Sequence, residues 1–465
     1  MRSSRLSLVA AVSAVLLATL AHVEAAVGSC DPSTCIHPAC LCPSLTPPKG
    51  MDPKTVPQFF TLTFDDAVQA PTVPVAGALM TPHTNPNGCP IKATWFAQTI
   101  YSDFALIQQW YASGNEIADH TMTHVGTPPA GNRRSINAFS GIPFAKLNGF
   151  RAPFLNYSDG TFAILGQEKF LYDSSTNAVP TDAYWPYTLD HGLANDCWNG
   201  ICDKPISIPG MWEIPMAAIM DSDLPTAIPH AMDVQLDASA EVVATWLRKN
   251  FDRHYNGNRS PFGIYLHPVH VGNATQLYNE FFAYARTFPD VWFVTNQQLL
   301  QWMQNPVPSS QLADQPYMKC TVPAVSKEIC NGLDDAKLGS VDKGVIETCN
   351  FVAGPWSTCY GCPKTMPTPS DPVPERVVTP GQPGYRTPVP ATCAMEWWDP
   401  ISAQCLCTSS NCTFTDTAVP GAKNTGGSDT TGTGAPRRSA ADHIAATWTG
   451  FGLAAALAAG LSQLL

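Results

Sequence analysis

Positive charge is scarce in this sequence of 465 residues. Lysine and arginine together number 26, charged residues of both signs make up only 14%, and the formal net charge is -11. The basic residues form no cluster at any point along the chain. Because binding to the phosphates of a nucleic acid requires clustered lysine and arginine, the sequence excludes nucleic acid as a partner.

An internal repeat is also missing, which excludes a solenoid or another repeat architecture. The length leaves room for one large domain with accessory segments, or for two to three domains of ordinary size. The composition changes several times along the chain, and these changes predict where the segments begin and end.

Apolar stretches occur at both ends of the sequence. Residues 1–26 contain two arginines, a short apolar run and then small residues, which predicts a secretory signal peptide rather than a membrane anchor. Residues 413–442 form a linker of small and polar residues, and no basic residue follows the apolar tail at residues 443–465. This arrangement is typical of a glycolipid (GPI) anchor signal that is removed, with a transmembrane helix as the alternative. The sequence therefore predicts a secreted protein at the cell surface or cell wall, held to the plasma membrane by a GPI anchor.

Cysteine is abundant, with 16 residues in all. In a secreted chain this number predicts disulfide bonds rather than thiolate metal sites, although the pairing cannot be read from the sequence. Four cysteines lie in a short segment at residues 27–54, and nine lie in a region rich in Cys and Pro at residues 309–412. We interpret the second region as a small disulfide-rich module or a covering extension. Asn-x-Ser/Thr triplets predict glycosylation at Asn156, Asn258, Asn273 and Asn411.

Between residues 55 and 308, short strand-like runs alternate with helical patterns. Runs rich in β-branched and aromatic residues predict strands at FFTLTF, ATWFA, EIAD, FGIYLH and DVWFVT. A helical spacing of apolar residues occurs in DFALIQQWYASG, SAEVVATWLRKNF, QLYNEFFAYARTF and QQLLQWM. This alternation predicts a parallel sheet or an α/β barrel, in which chemistry gathers at the carboxyl ends of the strands.

Groups that can bind a metal or move a proton follow three of these strands. Asp65 and Asp66 follow the first run, His120 follows EIAD, and His267 ends FGIYLH. Two adjacent carboxylates destabilise each other, so the pair either turns to solvent or has chemistry to perform. His120 and His124 stand four residues apart, a spacing that on a helical turn lets both bind one cation. With a carboxylate from the pair they would form a catalytic metal site, and two hydrogen-bonded histidines are the alternative.

Four motifs, TFDDAV, DHTMTH, GFRAPF and IYLH, occur in this order along the chain. In this combination and spacing, the sequence resembles the polysaccharide deacetylase family, which is defined by the NodB-homology domain. The stretches CDPSTCIHPACLCPS, YWPYTL, MWEIPM and DVWFVTNQQLLQWMQNP resemble the chitin deacetylase-like subgroup. The resemblance covers about residues 29–308. It implies an α/β fold in which residues 55–308 form a distorted (β/α) barrel, followed by the small disulfide-rich region.

The resemblance also implies which residues carry the chemistry. Asp66, His120 and His124 would hold a divalent cation, Zn²⁺ or another such as Co²⁺. Asp65 would be the general base, and His267 would be the general acid that protonates the leaving amine. This assignment explains why two aspartates stand side by side, since a cation on Asp66 removes the penalty for ionising its neighbour.

Further roles follow from the same resemblance. Arg151 would pair with the base and orient it, with a surface salt bridge as the alternative. Phe154 stands where the family has tyrosine, in the motif whose backbone N–H stabilises the oxyanion. Trp212 and Leu266 match positions that form a pocket for the acetyl methyl, with ordinary core packing as the alternative. The aspartate that tunes the acid is not assigned, and Asp173 is a candidate.

The implied activity is metal-dependent hydrolysis of the N-acetyl groups of chitin, giving chitosan and acetate. The expected partner is therefore chitin or an oligomer of N-acetylglucosamine. Two alternatives stay open, since the chain could act on peptidoglycan or acetylxylan, or could be a catalytically silent protein that binds chitin or the cell wall. The intact set of base, acid and metal ligands favours an enzyme. The sequence leaves the oligomeric state open.

Overall fold

The computed structural model describes residues 30–125, 128–320 and 346–379, and the backbone of two short strands beyond them. No helix in these described ranges is long and apolar enough to cross a membrane. Several features predicted from the sequence lie outside the described residues, namely the signal peptide at 1–26, the linker at 413–442, the apolar tail at 443–465 and the triplet at Asn411.

The described strands, in chain order, are β1 (Gln58–Asp65), β2 (Thr94–Ala97), β3 (Glu116–Asp119), β4 (Gly149–Phe150), β5 (Tyr172–Asp173), β6 (Asn177–Ala178), β7 (Tyr187–Thr188), β8 (Trp212–Glu213), β9 (Met216–Ala217), β10 (Ile219–Met220), β11 (Pro229–His230), β12 (Phe262–Leu266), β13 (Val291–Val294), β14 (Glu347–Cys349), β15 (Trp356–Thr358), β16 (Trp398–Asp399) and β17 (Gln404–Cys405). The principal sheet has the order β12-β1-β2-β3-β4-β5-β8-β7, and β13 also pairs with β1. Its strand pairs are parallel except for β7 with β8.

The described α-helices are α1 (Val73–Met80), α2 (Phe104–Ala112), α3 (Asn132–Ser140), α4 (Asp159–Gln167), α5 (Ala240–Asn256), α6 (Pro268–Val271), α7 (Thr275–Ala285), α8 (Asn296–Gln304) and α9 (Ser309–Leu312). Every strand and helix named from the sequence between residues 55 and 308 is present. The sheet curls into a half-barrel with helices against it, so the predicted α/β fold with a distorted barrel is confirmed.

Strand β1 is buried along its whole length. Its Phe60 pairs with Phe262 of β12 and with Phe293 of β13, and the Phe60 and Phe293 rings stack with centroids 4.2 Å apart. The polar residues of β1, such as Thr61 and Thr63, are buried as well. The strand therefore ends at Asp65 with a buried side chain.

Disulfide bonds fix the segments that surround the barrel. Cys30 pairs with Cys42 and Cys35 with Cys40, so two internal disulfides cross-link the short N-terminal segment. That segment also joins the sheet, because Leu41 N donates to the hydroxyl of Thr188 and Leu41 O accepts from Thr188 N.

A long-range disulfide closes the barrel itself. Cys89 pairs with Cys320 across a sequence separation of 231 residues, from the turn before β2 to the residues after α9. Two more pairs, Cys197–Cys202 and Cys349–Cys362, close short loops. No free cysteine is found in the part of the chain that the structure describes.

Residues 346–379 pack directly against the helices that follow β2 and β3. The buried Trp356 lies edge-on to Phe104 of α2 and against Phe139 of α3, with ring centroids 5.3 and 4.7 Å apart. Its two neighbours in the chain pair with the loop before α2, since Tyr101 N donates to Pro355 O and Ser357 N donates to Ser102 O. This part of the Cys-rich region therefore shares the apolar core of the barrel.

We expect Trp356→Ala to lower the free energy of unfolding by about 3 to 5 kcal/mol, because a fully buried tryptophan is lost from a packed core. Denaturant unfolding followed by circular dichroism measures this value. The matched control is Val352→Ala, a fully exposed apolar side chain in the same region. A loss for Trp356→Ala no larger than that of the control would mean that residues 346–379 do not stabilise the barrel.

Candidate active site

Four strands of the sheet end at candidate residues. β1 ends at Asp65 and is followed by Asp66, β3 is followed by His120, β4 by Arg151 and β12 by His267. Because parallel strands end at the same edge of the sheet, these side chains meet there, although they are up to 202 residues apart in the chain.

Asp65 and Arg151 form a buried ion pair. Their side chains are 1% and 0% exposed, and Arg151 Nη1 lies 2.8 Å from Asp65 Oδ1. Arg151 also donates to the hydroxyl of Thr63 at 2.7 Å and to Ser174 O at 2.7 Å, and its guanidinium lies 4.1 Å from the centre of the Phe96 ring. The sequence left open whether Arg151 forms a surface salt bridge. The structure places it inside, where it holds one oxygen of Asp65 in a fixed direction.

The side chain of Asp66 has other partners than that of Asp65. The φ of Asp66, 81°, is in the left-handed region, which few residues other than glycine adopt. Asp66 Oδ1 lies 3.2 Å from His124 Nε2 and 3.6 Å from His120 Nε2. The two adjacent carboxylates therefore have different partners, a guanidinium for the first and imidazoles for the second.

His120 is held as a neutral ring with its free nitrogen facing Asp66. Its Nδ1 lies 2.9 Å from the backbone carbonyl of Arg151, which can only accept, so Nδ1 carries the hydrogen. Burial lowers the pKa of His120 below its usual value in spite of the nearby charges of Asp65 and Asp66. The ring is therefore in the form that binds metals, with the lone pair of Nε2 directed into the site.

The expectation that His120 and His124 share a helical turn is wrong. The segment is a loop in which Thr121 and His124 have left-handed φ values of 65° and 63°. Thr121 N donates to Asp119 Oδ1 at 2.7 Å, and the Thr121 hydroxyl accepts from His124 N at 3.1 Å. These local hydrogen bonds, rather than a helix, bring both imidazoles to the same carboxylate.

The donor set suits a divalent cation. One ligand atom each from Asp66, His120 and His124 lies within 4.8 Å of the others. His120 Nε2 and Asp66 Oδ1 are buried and have no hydrogen-bond partner, which is costly for polar atoms unless something else satisfies them. Two nitrogens and one carboxylate oxygen are ligands typical of a catalytic zinc site. These three residues could therefore hold a metal ion.

His267 completes the site and has a partner that the sequence did not reveal. Its Nδ1 lies 2.5 Å from Asp233 Oδ2, and its backbone N donates to Asp233 Oδ1 at 2.9 Å. Burial alone would lower the pKa of His267, but the hydrogen bond to Asp233 and the charges of Asp65 and Asp233 outweigh it and raise the pKa to about 9. The ring thus carries a proton near neutral pH, and its Nε2 lies 3.9 Å from Asp66 Oδ2.

Asp173, the candidate partner for His267, is hydrogen-bonded to Ser175 instead. Its carboxylate accepts from the backbone N and the hydroxyl of Ser175 at 2.9 and 2.8 Å, so it shapes the turn after β5. Asp233 instead reaches His267 from a loop 34 residues earlier, and His270 also lies on it at 3.1 Å. The residue has φ 50° and stands outside any periodic pattern, so no signal in the sequence marks it.

The three predicted substrate-binding residues differ in exposure. Phe154 is 76% exposed, has a left-handed φ of 56°, and its ring lies edge-on to His124 with centroids 4.4 Å apart. Trp212 and Leu266 are buried within apolar clusters, the surroundings expected of the packing alternative. Their assignment to an acetyl pocket stays a prediction.

The asparagines of the described glycosylation triplets differ in exposure and in hydrogen bonding. Asn156 and Asn273 are exposed. The side chain of Asn258 is engaged, because its Nδ2 donates to Ala183 O at 2.8 Å and its Oδ1 accepts from Ser260 N at 3.1 Å. Glycosylation at all three stays a prediction, and a glycan on Asn258 would replace one of the two hydrogens of the Nδ2 that donates to Ala183 O.

Two chitin deacetylases of Bombyx mori are similar to this chain. Chitin deacetylase 8 is 29% identical over 391 residues, which cover 77% of this chain and 98% of the relative. Chitin deacetylase 1 is 30% identical over 374 residues, which cover 74% of this chain and 68% of the relative. The similarity thus extends over most of the chain rather than over single motifs.

No protein-family model matches the chain. Among solved structures, a polysaccharide deacetylase of Mycobacterium smegmatis is 20% identical with a TM-score of 0.37, covering 57% of this chain and 94% of that one. The chitin deacetylase of Colletotrichum lindemuthianum is 15% identical with a TM-score of 0.31, covering 53% of this chain and 88% of that one. Both TM-scores are low, and no conclusion about this chain follows from them.

Proposed function

Because this chain belongs to the chitin deacetylase family, we propose that it hydrolyses the N-acetyl groups of N-acetylglucosamine units in chitin, in a metal-dependent reaction that gives chitosan and acetate. The observation that carries this proposal is the arrangement around Asp66. Nitrogens of His120, His124 and His267 lie 3.6, 3.2 and 3.9 Å from its carboxylate. The neighbouring carboxylate, Asp65, pairs through one oxygen with Arg151.

Asp66, His120 and His124 would hold the cation, Zn²⁺ or another divalent ion such as Co²⁺. When bound, a divalent cation lowers the pKa of water and polarises the acetyl carbonyl. The chain itself supplies the ligand geometry, because the Arg151 carbonyl fixes the tautomer of His120 and the loop after β3 aims His124.

Asp65 is suited to take the proton from the attacking water. One of its oxygens is occupied by Arg151, and the other lies 3.9 Å from His120 Nε2 and so faces the metal ligands. As the water oxygen forms its bond to the acetyl carbon, the proton moves to Asp65 and negative charge develops on the carbonyl oxygen. The backbone around Phe154, next to His124, is where the family would supply the oxyanion donor.

His267 is suited to the second proton transfer. When the carbon–nitrogen bond breaks, the bonding electrons go to the sugar nitrogen, which must gain a proton to leave as an amine. The pair with Asp233 keeps a proton on His267 and fixes the hydrogen at Nδ1, so that Nε2 faces the site. The products are acetate and a free amino sugar.

Two other functions are alternatives to this proposal. A deacetylase of peptidoglycan or acetylxylan would use the same residues, and the similarity to the two chitin deacetylases favours chitin over them. A silent chitin-binding or wall-binding protein would not need a buried base, a paired acid and unsatisfied metal ligands together. This full set supports catalysis.

We also propose that the protein is secreted, is held at the cell surface or cell wall by a GPI anchor, and carries glycans. The five disulfides of the described residues support an oxidising compartment. Phase separation in detergent with and without phosphatidylinositol-specific phospholipase tests the anchor, and a protein released only by that phospholipase is the expected result.

Acetate release tests the activity and the substrate together. We expect the zinc-loaded protein to release acetate from N-acetylglucosamine oligomers, and a chelator to abolish release until zinc is restored. Acetylxylan and peptidoglycan are assayed in parallel. Release from acetylxylan or peptidoglycan alone would overturn the substrate, and no release by folded, zinc-loaded protein would favour the silent binding protein.

A further inference from the structure

Trp198 is the feature of the described surface that the proposed reaction leaves unexplained. Its side chain is 87% exposed, although burying tryptophan is strongly favourable. It lies in a loop that the Cys197–Cys202 disulfide closes across only five positions. An exposed aromatic ring on a short cross-linked loop keeps its position without being covered.

Asp196 holds the edge of this ring. The indole Nε1 donates to Asp196 Oδ1 at 3.2 Å. The other oxygen, Oδ2, accepts from the Tyr157 hydroxyl at 2.5 Å and from Asn177 N at 2.8 Å. Since the carboxylate contacts only the edge of the indole, the apolar faces of the ring stay open to a ligand.

The same carboxylate connects Trp198 to the candidate active site. Tyr157 lies three residues after Phe154, whose exposed ring contacts His124. Asn177 lies three residues after Ser174, whose carbonyl accepts from Arg151 Nε at 2.7 Å. Tyr157 and Asn177 lie in the segments that follow β4 and β5, so their hydrogen bonds to Asp196 tie the loop of Trp198 to the carboxyl ends of these strands.

We propose that Trp198 stacks on a sugar ring of the bound polysaccharide, beyond the unit that reacts. This inference rests on the proposed function and adds where the part of the polysaccharide beyond the reacting sugar binds. Pyranose rings of β-linked sugars have apolar C–H faces that stack on aromatic side chains, and they carry no charge. A neutral polymer that lies along the segments after β4 and β5 would contact both Phe154 and Trp198. The ligand is thus an extended polysaccharide rather than a single sugar.

The test compares KM and kcat on a short and a long oligomer of N-acetylglucosamine. For Trp198→Ala we expect KM for the hexamer to rise about tenfold, which is the effect of losing one aromatic contact, with kcat nearly unchanged. KM for the dimer should not change, because a dimer at the reacting position does not reach the loop. Trp198→Tyr, which keeps an aromatic ring, should restore most of the affinity for the hexamer.

The matched control is Val242→Ala, which removes an exposed apolar side chain from α5. Equal KM values for wild type and Trp198→Ala on the hexamer would overturn the inference, as would an equal rise on both oligomers. A change of oligomeric state in Trp198→Ala without a change in KM would make the ring a protein contact and would also overturn it. A wild-type protein that releases no acetate from either oligomer would instead overturn the proposed function.

Discussion

Replacing Asp65 by asparagine is expected to lower kcat for acetate release by about 10³-fold, because a general base typically contributes 10² to 10⁴. Asparagine has nearly the same shape and can still accept the hydrogen bond of Arg151 Nη1, which aspartate accepts at 2.8 Å. What it lacks is the ability to take a proton. Bound zinc, measured by atomic emission on the purified variant, should stay close to one ion per chain, and the far-ultraviolet circular dichroism should be unchanged.

Asp66→Asn is the matched control, since it makes the same change one residue later. We expect this variant to lose zinc, because Asp66 is the carboxylate that faces both imidazoles. Zinc retention with loss of activity in one variant, and loss of both in the other, would separate the roles of the two neighbours. If Asp65→Asn kept more than a tenth of the wild-type kcat, Asp65 would not be the base.

The second large effect is expected at Asp233. In the wild type, His267 must be protonated to act as an acid, and its pKa is raised to about 9, so kcat/KM should fall only as the pH rises through that value. Asp233→Asn removes a hydrogen-bonded charge that favours the imidazolium, so the pKa of His267 must fall. The decline in kcat/KM should then begin at lower pH, and activity at pH above 8 should drop by at least about tenfold.

Measuring kcat/KM across pH for wild type and variant distinguishes this role from simple destabilisation, which would lower activity at all pH values alike. The matched control is Asp237→Asn, a carboxylate in the same loop that pairs with His230 instead. An alkaline limb that stays at the wild-type position in Asp233→Asn would show that Asp233 does not set the proton affinity of His267.

The barrel was predictable because its strands and helices are strongly patterned. β1 and β12 are buried along their whole length, and α2 ends before Gly114 as expected. The residues at the strand ends were also found, because their motifs resemble those of the polysaccharide deacetylase family. The same resemblance implied the ion pair between Asp65 and Arg151, but not its full burial.

Features built by loop geometry were not predictable. His120 and His124 have a helical spacing, yet local hydrogen bonds around Thr121 form a loop instead. Asp233 reaches His267 from a loop in which its own backbone is left-handed, and no periodicity marks such a position. The packing of Trp356 onto α2 and α3 depends on contacts over more than 200 residues, for which local sequence carries no signal.

The disulfide between Cys89 and Cys320 has a consequence for how the protein survives damage. The bond joins the turn before β2 to the residues after α9. The covalently closed ring therefore contains Arg151, His120, His124, Asp233 and His267, whereas Asp65 and Asp66 precede it. A protease that cuts one exposed loop in this ring, such as the one around Leu224, opens the backbone without releasing a fragment. Two cuts on the ring are needed before any of these five residues is released. After a single nick within the ring these residues stay covalently joined, a useful property wherever proteases are abundant.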